Sequence, residues 1–243
     1  MTLHVQSLAW DSEFFGFGVG RLIGSIESTA ALSRALQDAN EQGFRLVYRQ
    51  CEHSDIVSHQ RCLEIGGRFV DAKRTYSLSL VDVPPTSTMS AVLADSSPCS
   101  RRQLRSLAWQ SAEFSRYRVD PDMPRGSWRR MYSAWVENSL NGKLADAVLV
   151  VHVDENRERP IIGMITVSHS GTIGLLGVAE RWRGRGIGRR LLQAAEYQCR
   201  MSGCTQLTVV TQSDNTPACR AYESVGYTLT DEQSIFHFWR PQS

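Results

Sequence analysis

Between Leu175 and Leu192 the chain passes from an apolar run, through the turn Arg183-Gly184-Arg185-Gly186-Ile187-Gly188, into a segment with helical spacing. The chemistry this order of residues serves is the binding of a diphosphate. The first turn of a helix leaves N–H groups without intrahelical partners, and the macrodipole adds positive partial charge at that end. Phosphate oxygens satisfy both. Glycines at 184, 186 and 188 let the backbone approach a ligand with no Cβ in the way, and Arg181, Arg183, Arg185, Arg189 and Arg190 concentrate cations around the turn.

Rival readings of the turn fail on residue identity. The pattern GxxxxGK[ST] is absent, and GxGxxG would need glycine where Arg189 stands. An arginine-glycine RNA-binding tract would lack the periodic Leu191, Leu192 and Ala195. The formal charge of +2 on 243 residues argues against a nucleic-acid partner and makes the basicity local. Met1 to Trp10 shows no charged-then-apolar leader, and no apolar stretch approaches ~18 residues, so no membrane partner and a cytoplasmic protein are expected. The cysteines (Cys51, Cys62, Cys99, Cys199, Cys204, Cys219) form no CxxC pair and sit at no ligand spacing with histidine, so no metal and reduced thiols are expected.

The run Arg183 to Gly188 resembles the acyl-CoA signature [Q/R]xxGx[G/A] of the GNAT superfamily of N-acetyltransferases. Asn215, Ala218, Tyr222 and Gly226-Tyr227 are similar to the superfamily's second element, Asn-x-x-Ala-x-x-x-Tyr-x-x-x-Gly-[Phe/Tyr]. The likeness covers about Thr86 to Trp239. It implies an α/β fold with a mixed, mostly antiparallel sheet and flanking helices, and acetyl-CoA as co-substrate. It also implies a V-shaped opening between the strand ending near Ala179 and the strand Leu207 to Thr211. The pantetheine arm would lie there, beside Leu176, Gly177 and Val178. The diphosphate would sit on Arg183, Gly184, Arg185, Gly186, Ile187, Gly188 and Arg189, with Asn215 near the arm.

Attack of an amine on a thioester expels a thiolate, and a phenol of pKa near ~10 is matched as donor to a thiol of pKa ~8.5. Tyr222, one helical turn beyond Ala218, takes the role of general acid. The base that frees the amine is left open among Asp71, Glu13, Asp11 and His169.

These groups need a scaffold. Apolar spacing predicts helices over Arg101 to Phe114 and Gly126 to Leu140, strands over Ala147 to Val153 and Ile161 to Val167 joined by the polar loop Asp154 to Pro160, and a strand over Thr172 to Ala179. A helix over Ile187 to Met201, a strand over Leu207 to Thr211, a helix over Pro217 to Ser224, and two closing strands, Tyr227 to Leu229 and Ile235 to Trp239, follow. Pro84-Pro85-Thr86-Ser87-Thr88 and Asp95-Ser96-Ser97-Pro98 mark a boundary: an N-terminal α/β domain, 1–83, contributing to the acceptor site, and a catalytic domain, 84–243.

The N-terminal domain carries traces of a degenerate half-repeat, 160 residues ahead of its counterpart. Gly43 matches Gly203, Gly66 matches Gly226, Asp71 matches Asp231 and Tyr76 matches Phe236, while the glycine turn has no equivalent there. The run Leu8 to Gly16, with Phe114 to Arg118 and Trp135 to Asn138, resembles the nucleotide-sugar acetyltransferases of the same superfamily. That resemblance implies acetylation of the 4-amino group of a nucleotide-linked aminodeoxy sugar. Phe14 and Phe15 would offer a flat apolar surface, and Arg116 and Arg118 would meet the diphosphate. Arginines 101, 102, 105, 116, 118, 125, 129 and 130 favour an anionic small-molecule acceptor over a basic one. The same cofactor half would also serve an enzyme acting on a protein N-terminus, a lysine or a polyamine, or a non-catalytic CoA-binding sensor. A homodimer through outer strands near Ile235 to Trp239 is a further expectation.

Overall fold

In a computed structural model of the chain, the described residues are 3–81, 91–94, 98–153 and 160–240. The proline pair, the 83/84 boundary and most of the loop before Pro160 lie outside them. Strand β1 (His4–Ser7), helix α1 (Ala9–Phe15) and β2 (Gly18–Ile23) open the chain. Helix α2 (Thr29–Glu41) follows, its Ser28 side chain accepting from Ala31 N–H and its Leu32, Ala35 and Ala39 buried on one stripe. Next come β3 (Phe44–Glu52), α3 (Ile56–Glu64), β4 (Arg68–Ser79) and β5 (Val92–Leu93). The succession continues with α4 (Pro98–Ser111), α5 (Arg116–Val119), α6 (Ser127–Leu140), β6 (Ala147–His152), β7 (Ile161–Val167) and β8 (Thr172–Val178). Helix α7 (Ile187–Met201), β9 (Gln206–Gln212), α8 (Thr216–Glu223) and β10 (Thr228–Trp239) close it. Among the described residues no helix is long and apolar enough to cross a membrane.

The chain forms two compact units, and neither is a continuous segment. The first comprises Met1–Lys73, Val119–Pro124 and Glu232–Ser243; the second comprises Arg74–Arg118 and Arg125–Asp231. This partition differs from 1–83 and 84–243 because β4 and β10 each run through both units.

In the first unit the strand order is β1-β2-β3-β10-β4, with β1 antiparallel to β2, β2 parallel to β3, and β10 antiparallel to β3 from Gln233↔Glu52 to Trp239↔Leu46. Its core gathers Leu22, Leu32, Val47, Cys62, Phe236 and Phe238. The buried Asp120 carboxylate accepts hydrogen bonds from His237 Nδ1 (2.6 Å) and Trp239 Nε1 (2.8 Å), and Arg68 Nε lies 3.5 Å from its other oxygen.

In the second unit the order is β10-β4-β9-β8-β7-β6-β5, antiparallel from β5 to β8 and parallel between β8 and β9. Helix α7 packs on β7 where Gly163 leaves room: a Cβ there would lie 2.7 Å from Ile187 Cγ2.

Two sequence expectations are corrected. The closing strands are one strand, β10, because ladders to β3 and β4 hold its polar middle, Thr230 to Ser234, whatever its side chains. For the same reason residues 235–239 are not an outer strand, so they offer a second copy no free edge.

The spans β3-α3-β4 and β9-α8-β10 share element order and punctuation. Asp55 and Asn215 cap their helices through Ser58 N–H and Ala218 N–H, and Gly66 (φ 82°) and Gly226 (φ 91°) end them in the left-handed region.

Candidate active site

The opening between β8 and β9 follows from register. Strand β9 pairs with β8 only at Thr172↔Thr208 and Ile173↔Val209, whereas β7 stays paired as far as Gly163↔Val178. Ala179 N–H donates to Ile162 O at 2.9 Å, so beyond the register shift at Ile165–Val167 it is Gly177 and Ala179 that aim their backbone groups at β7. The even-numbered Leu176 and Val178 aim theirs at the opposite edge. An extended amide-bearing chain can add there as a strand would. Helix α4 reaches the same end of β8: a Cβ on Gly177 would lie 3.0 Å from Leu107 O.

Beyond β8, the 3-10 turn Glu180–Trp182 leads to Gly184 (φ 72°) and Gly186 (φ 77°). Gly186 is the N-cap of α7 in the left-handed conformation, with no side-chain cap, so the first-turn N–H groups are left for another acceptor. No protein atom lies within 4 Å of a Cβ built at Gly184 or Gly186, and one built at Gly188 meets only Val178 Cγ2, at 4.0 Å. The packing of the fold therefore does not demand glycine at 188. A ligand seated on the helix terminus would.

The arginines of the turn divide by role. Arg185 rests its guanidinium 5.0 Å from the Trp182 ring centroid. Arg183 turns back instead: its Nε donates to Val178 O (3.3 Å), its Nη2 donates to Gln110 O (3.3 Å), and its Nη1 lies 3.9 Å from Glu113. Gln110 Oε1 accepts from Glu180 N–H at 2.9 Å, so one residue of α4 braces the loop from both sides. Sequence reasoning missed Gln110, since a neutral residue in the last turn of a helix carries no local signal.

Tyr222 and Asn215 come from α8. The Asn215 side chain accepts from Ala218 N–H (3.4 Å) and donates to Thr211 Oγ1 (3.2 Å), linking α8 to the end of β9. Tyr222 is buried in the second unit's core, 5.7 Å from the Tyr76 ring and 5.8 Å from Tyr227. The same core cluster holds Ile187 of α7, with Leu176, Val178 and Ala218 packed on it. Burial pushes the Tyr222 hydroxyl well above the ordinary phenol range, with a smaller push from Cys219, so it carries its proton at neutral pH. Burial also raises the Cys199 thiol to about 12, the wrong direction for a nucleophile.

The remaining candidates are dispersed. Phe14 stacks on Trp10 (5.2 Å), and Phe15 is buried against Phe17 (5.7 Å), both within the first unit. In the second unit Arg116 donates to Tyr117 Oη (2.7 Å), while Arg118 lies over Trp128. Arg101 and Arg105 both pair with Glu137, which neutralises part of the arginine cluster. His169 pairs with Asp146 (3.1 Å) at the β7–β8 turn, about 20 Å along β8 from Val178. That distance takes it away from the opening. Glu13 and Asp11 lie on α1 and the buried Asp71 on β4, all in the first unit.

Comparison with known proteins gives the family and the fold. Over 238 residues the chain is 28% identical to the dTDP-fucosamine acetyltransferase of Escherichia coli O6:H1, spanning 97% of each chain. Over 136 residues, 55% of this chain, it is 28% identical to the spore coat polysaccharide biosynthesis protein SpsD of Bacillus subtilis, and it spans 45% of that relative's length. A GCN5-related N-acetyltransferase from Sphaerobacter thermophilus shares the fold, with a TM-score of 0.60 at 17% identity, covering 100% of this chain and 78% of that one. The model of the Acetyltransferase (GNAT) family matches residues 102–227. That match runs from α4 through Tyr227 and takes in the split β8–β9 ladder, the uncapped terminus of α7 and all of α8. The chain therefore belongs to the GNAT acetyltransferases, whose co-substrate is acetyl-CoA.

Proposed function

We propose that the protein moves the acetyl group of acetyl-CoA to the 4-amino group of a nucleotide-linked aminodeoxy sugar such as TDP-fucosamine, in the cytoplasm, by direct attack of the amine with Tyr222 as general acid. The observation that carries the acceptor is the likeness to the dTDP-fucosamine acetyltransferase over 97% of both chains, including the N-terminal part that the family model leaves out.

Acetyl-CoA supplies an activated thioester. The backbone of Leu176 and Val178 would hold the pantetheine arm, and the N–H groups at the start of α7, with Arg185 and Arg189, would hold the diphosphate. Asn215 steadies the arm from the end of β9. The amine nitrogen bonds to the acetyl carbon, the C–S bond breaks, and the departing sulfur takes the Tyr222 proton; the amine gives its own proton to water. A buried phenol is a donor that does not leak its proton beforehand.

The test is release of CoA thiol from acetyl-CoA with a panel of nucleotide-linked amino sugars, using spermidine and a basic peptide as controls. Turnover is expected with the sugars alone. Tyr222→Phe keeps the ring packing and should lower kcat ~10²-fold with little change in KM for acetyl-CoA. Turnover of peptide or spermidine alone removes the sugar acceptor, and an undiminished kcat in the variant removes Tyr222.

A further inference from the structure

The residues Arg125-Gly126-Ser127-Trp128-Arg129-Arg130 repeat the order of Arg185-Gly186-Ile187-Gly188-Arg189-Arg190. The structure carries the parallel into three dimensions. Helices α6 and α7 both start on a left-handed glycine, with φ 75° at Gly126 and 77° at Gly186, and neither has a side-chain cap. The difference that matters is at the fourth position of the repeat, where Gly188 leaves open space and α6 carries the Trp128 indole.

That indole organises cations. The Arg118 guanidinium lies 4.9 Å from the Trp128 ring centroid, and Arg129 lies 5.1 Å from the same ring and 5.5 Å from Trp109. Trp109 is itself fixed, its Nε1 donating to Ser133 Oγ (3.0 Å) and Arg129 O (3.1 Å). Among the described residues neither Arg118 nor Arg129 has a carboxylate partner, in contrast to Arg101 and Arg105 on Glu137. In the same helical turn the buried Ser127 hydroxyl has no hydrogen-bond partner among the described residues. A guanidinium held flat on an indole keeps its in-plane N–H donors available and has already lost much of its side-chain freedom. Two of them beside an uncapped helix start suit a group with several anionic oxygens. The cluster also begins next to the cofactor loop: Trp109 precedes Gln110, which braces Glu180 and Arg183.

We infer that Arg118 and Arg129, set by Trp109 and Trp128 at the start of α6, form a second diphosphate site that takes the nucleoside diphosphate of the acceptor. The identity of that acceptor rests on the sugar reading above; the affinity for a diphosphate does not. The other source of this chemistry is the diphosphate of CoA, so the experiment is done with the α7 site filled.

Titration calorimetry of dTDP into protein saturated with CoA is expected to show one site, displaced by inorganic pyrophosphate. Arg118→Gln and Arg129→Gln should each weaken dTDP ~10-fold, the loss of a hydrogen bond to a charged group, with CoA affinity and Tm unchanged as checks on folding. Absence of dTDP binding in the CoA-saturated protein, or equal binding by the double variant, overturns the inference. Acetylation of a nucleotide-linked sugar with KM indifferent to both substitutions would keep the acceptor and discard the site. Arginine-dependent dTDP binding without turnover of any such sugar would keep the site and discard the acceptor.

Discussion

At the scale of single residues, burial decides which titratable groups matter. Tyr222 holds its proton because its phenolate would be desolvated. For Asp120, burial pushes the carboxyl pKa up, but hydrogen bonds from His237 and Trp239 outweigh it and hold the pKa below the usual carboxylate range. A folded pKa below the unfolded value of about 3.9 means that the pair stabilises the protein above that pH and loses its effect as pH falls through the folded value. Asp120→Asn should therefore cost about 3 kcal/mol at pH 7, as for a broken buried pair, with the gap from the native protein closing below about pH 4. Urea midpoints at pH 7, 5 and 3.5 check this; a gap of constant size would show that the carboxylate charge is not what stabilises. Neither His237 nor Asp120 stood out in the sequence, because their pairing joins residues 117 apart.

At the scale of elements, helix α7 was read correctly to its ends because glycine and arginine punctuation precedes an uninterrupted apolar stripe, Ile187, Leu191, Leu192 and Ala195. Strand β10 was read as two because polarity was taken as a break, whereas backbone ladders on both sides override it. The glycine turn allows two roles to be separated. Gly186→Ala forces an L residue into a left-handed N-cap and should lower stability by about 1–2 kcal/mol. Gly188→Ala meets no protein obstacle and gains helix propensity, so Tm should hold or rise slightly while KM for acetyl-CoA rises ~10-fold or more. An unchanged KM in Gly188→Ala would mean that the open space above α7 is not the diphosphate site. The spans β3-α3-β4 and β9-α8-β10 bear the same caps, and Cys62 occupies the place that Tyr222 holds in the second. We read the first span as a degenerate copy that lacks the tyrosine and carries a buried thiol in its place, raised to about 12 by burial.

At the scale of the whole molecule, the equivalent aromatic residues of the two spans serve opposite units. Tyr76 lies in the core of the second unit, and Phe236, 160 residues later, lies in the core of the first. Phe236→Ala should cost about 3–5 kcal/mol and speed hydrogen exchange in β2, α2 and β3; Tyr76→Ala should act on β9 and α8. Equal loss of protection everywhere from either substitution would deny that the units are separate. The cofactor half was legible in the sequence because its determinants are local: left-handed glycines, a helix start, a cap and a tyrosine about two turns on lie within a short stretch of chain. The opening between β8 and β9 was implied by the resemblance, and the structure adds where it starts, after Ile173. Two things were decided only by the tertiary structure: the return of residues 232–240 to the first unit, and the contrast between Arg101 and Arg105 neutralised on Glu137 and Arg118 and Arg129 left open on indoles. Each depends on partners far apart in the chain, and side-chain periodicity says which face a residue occupies but not what meets it there.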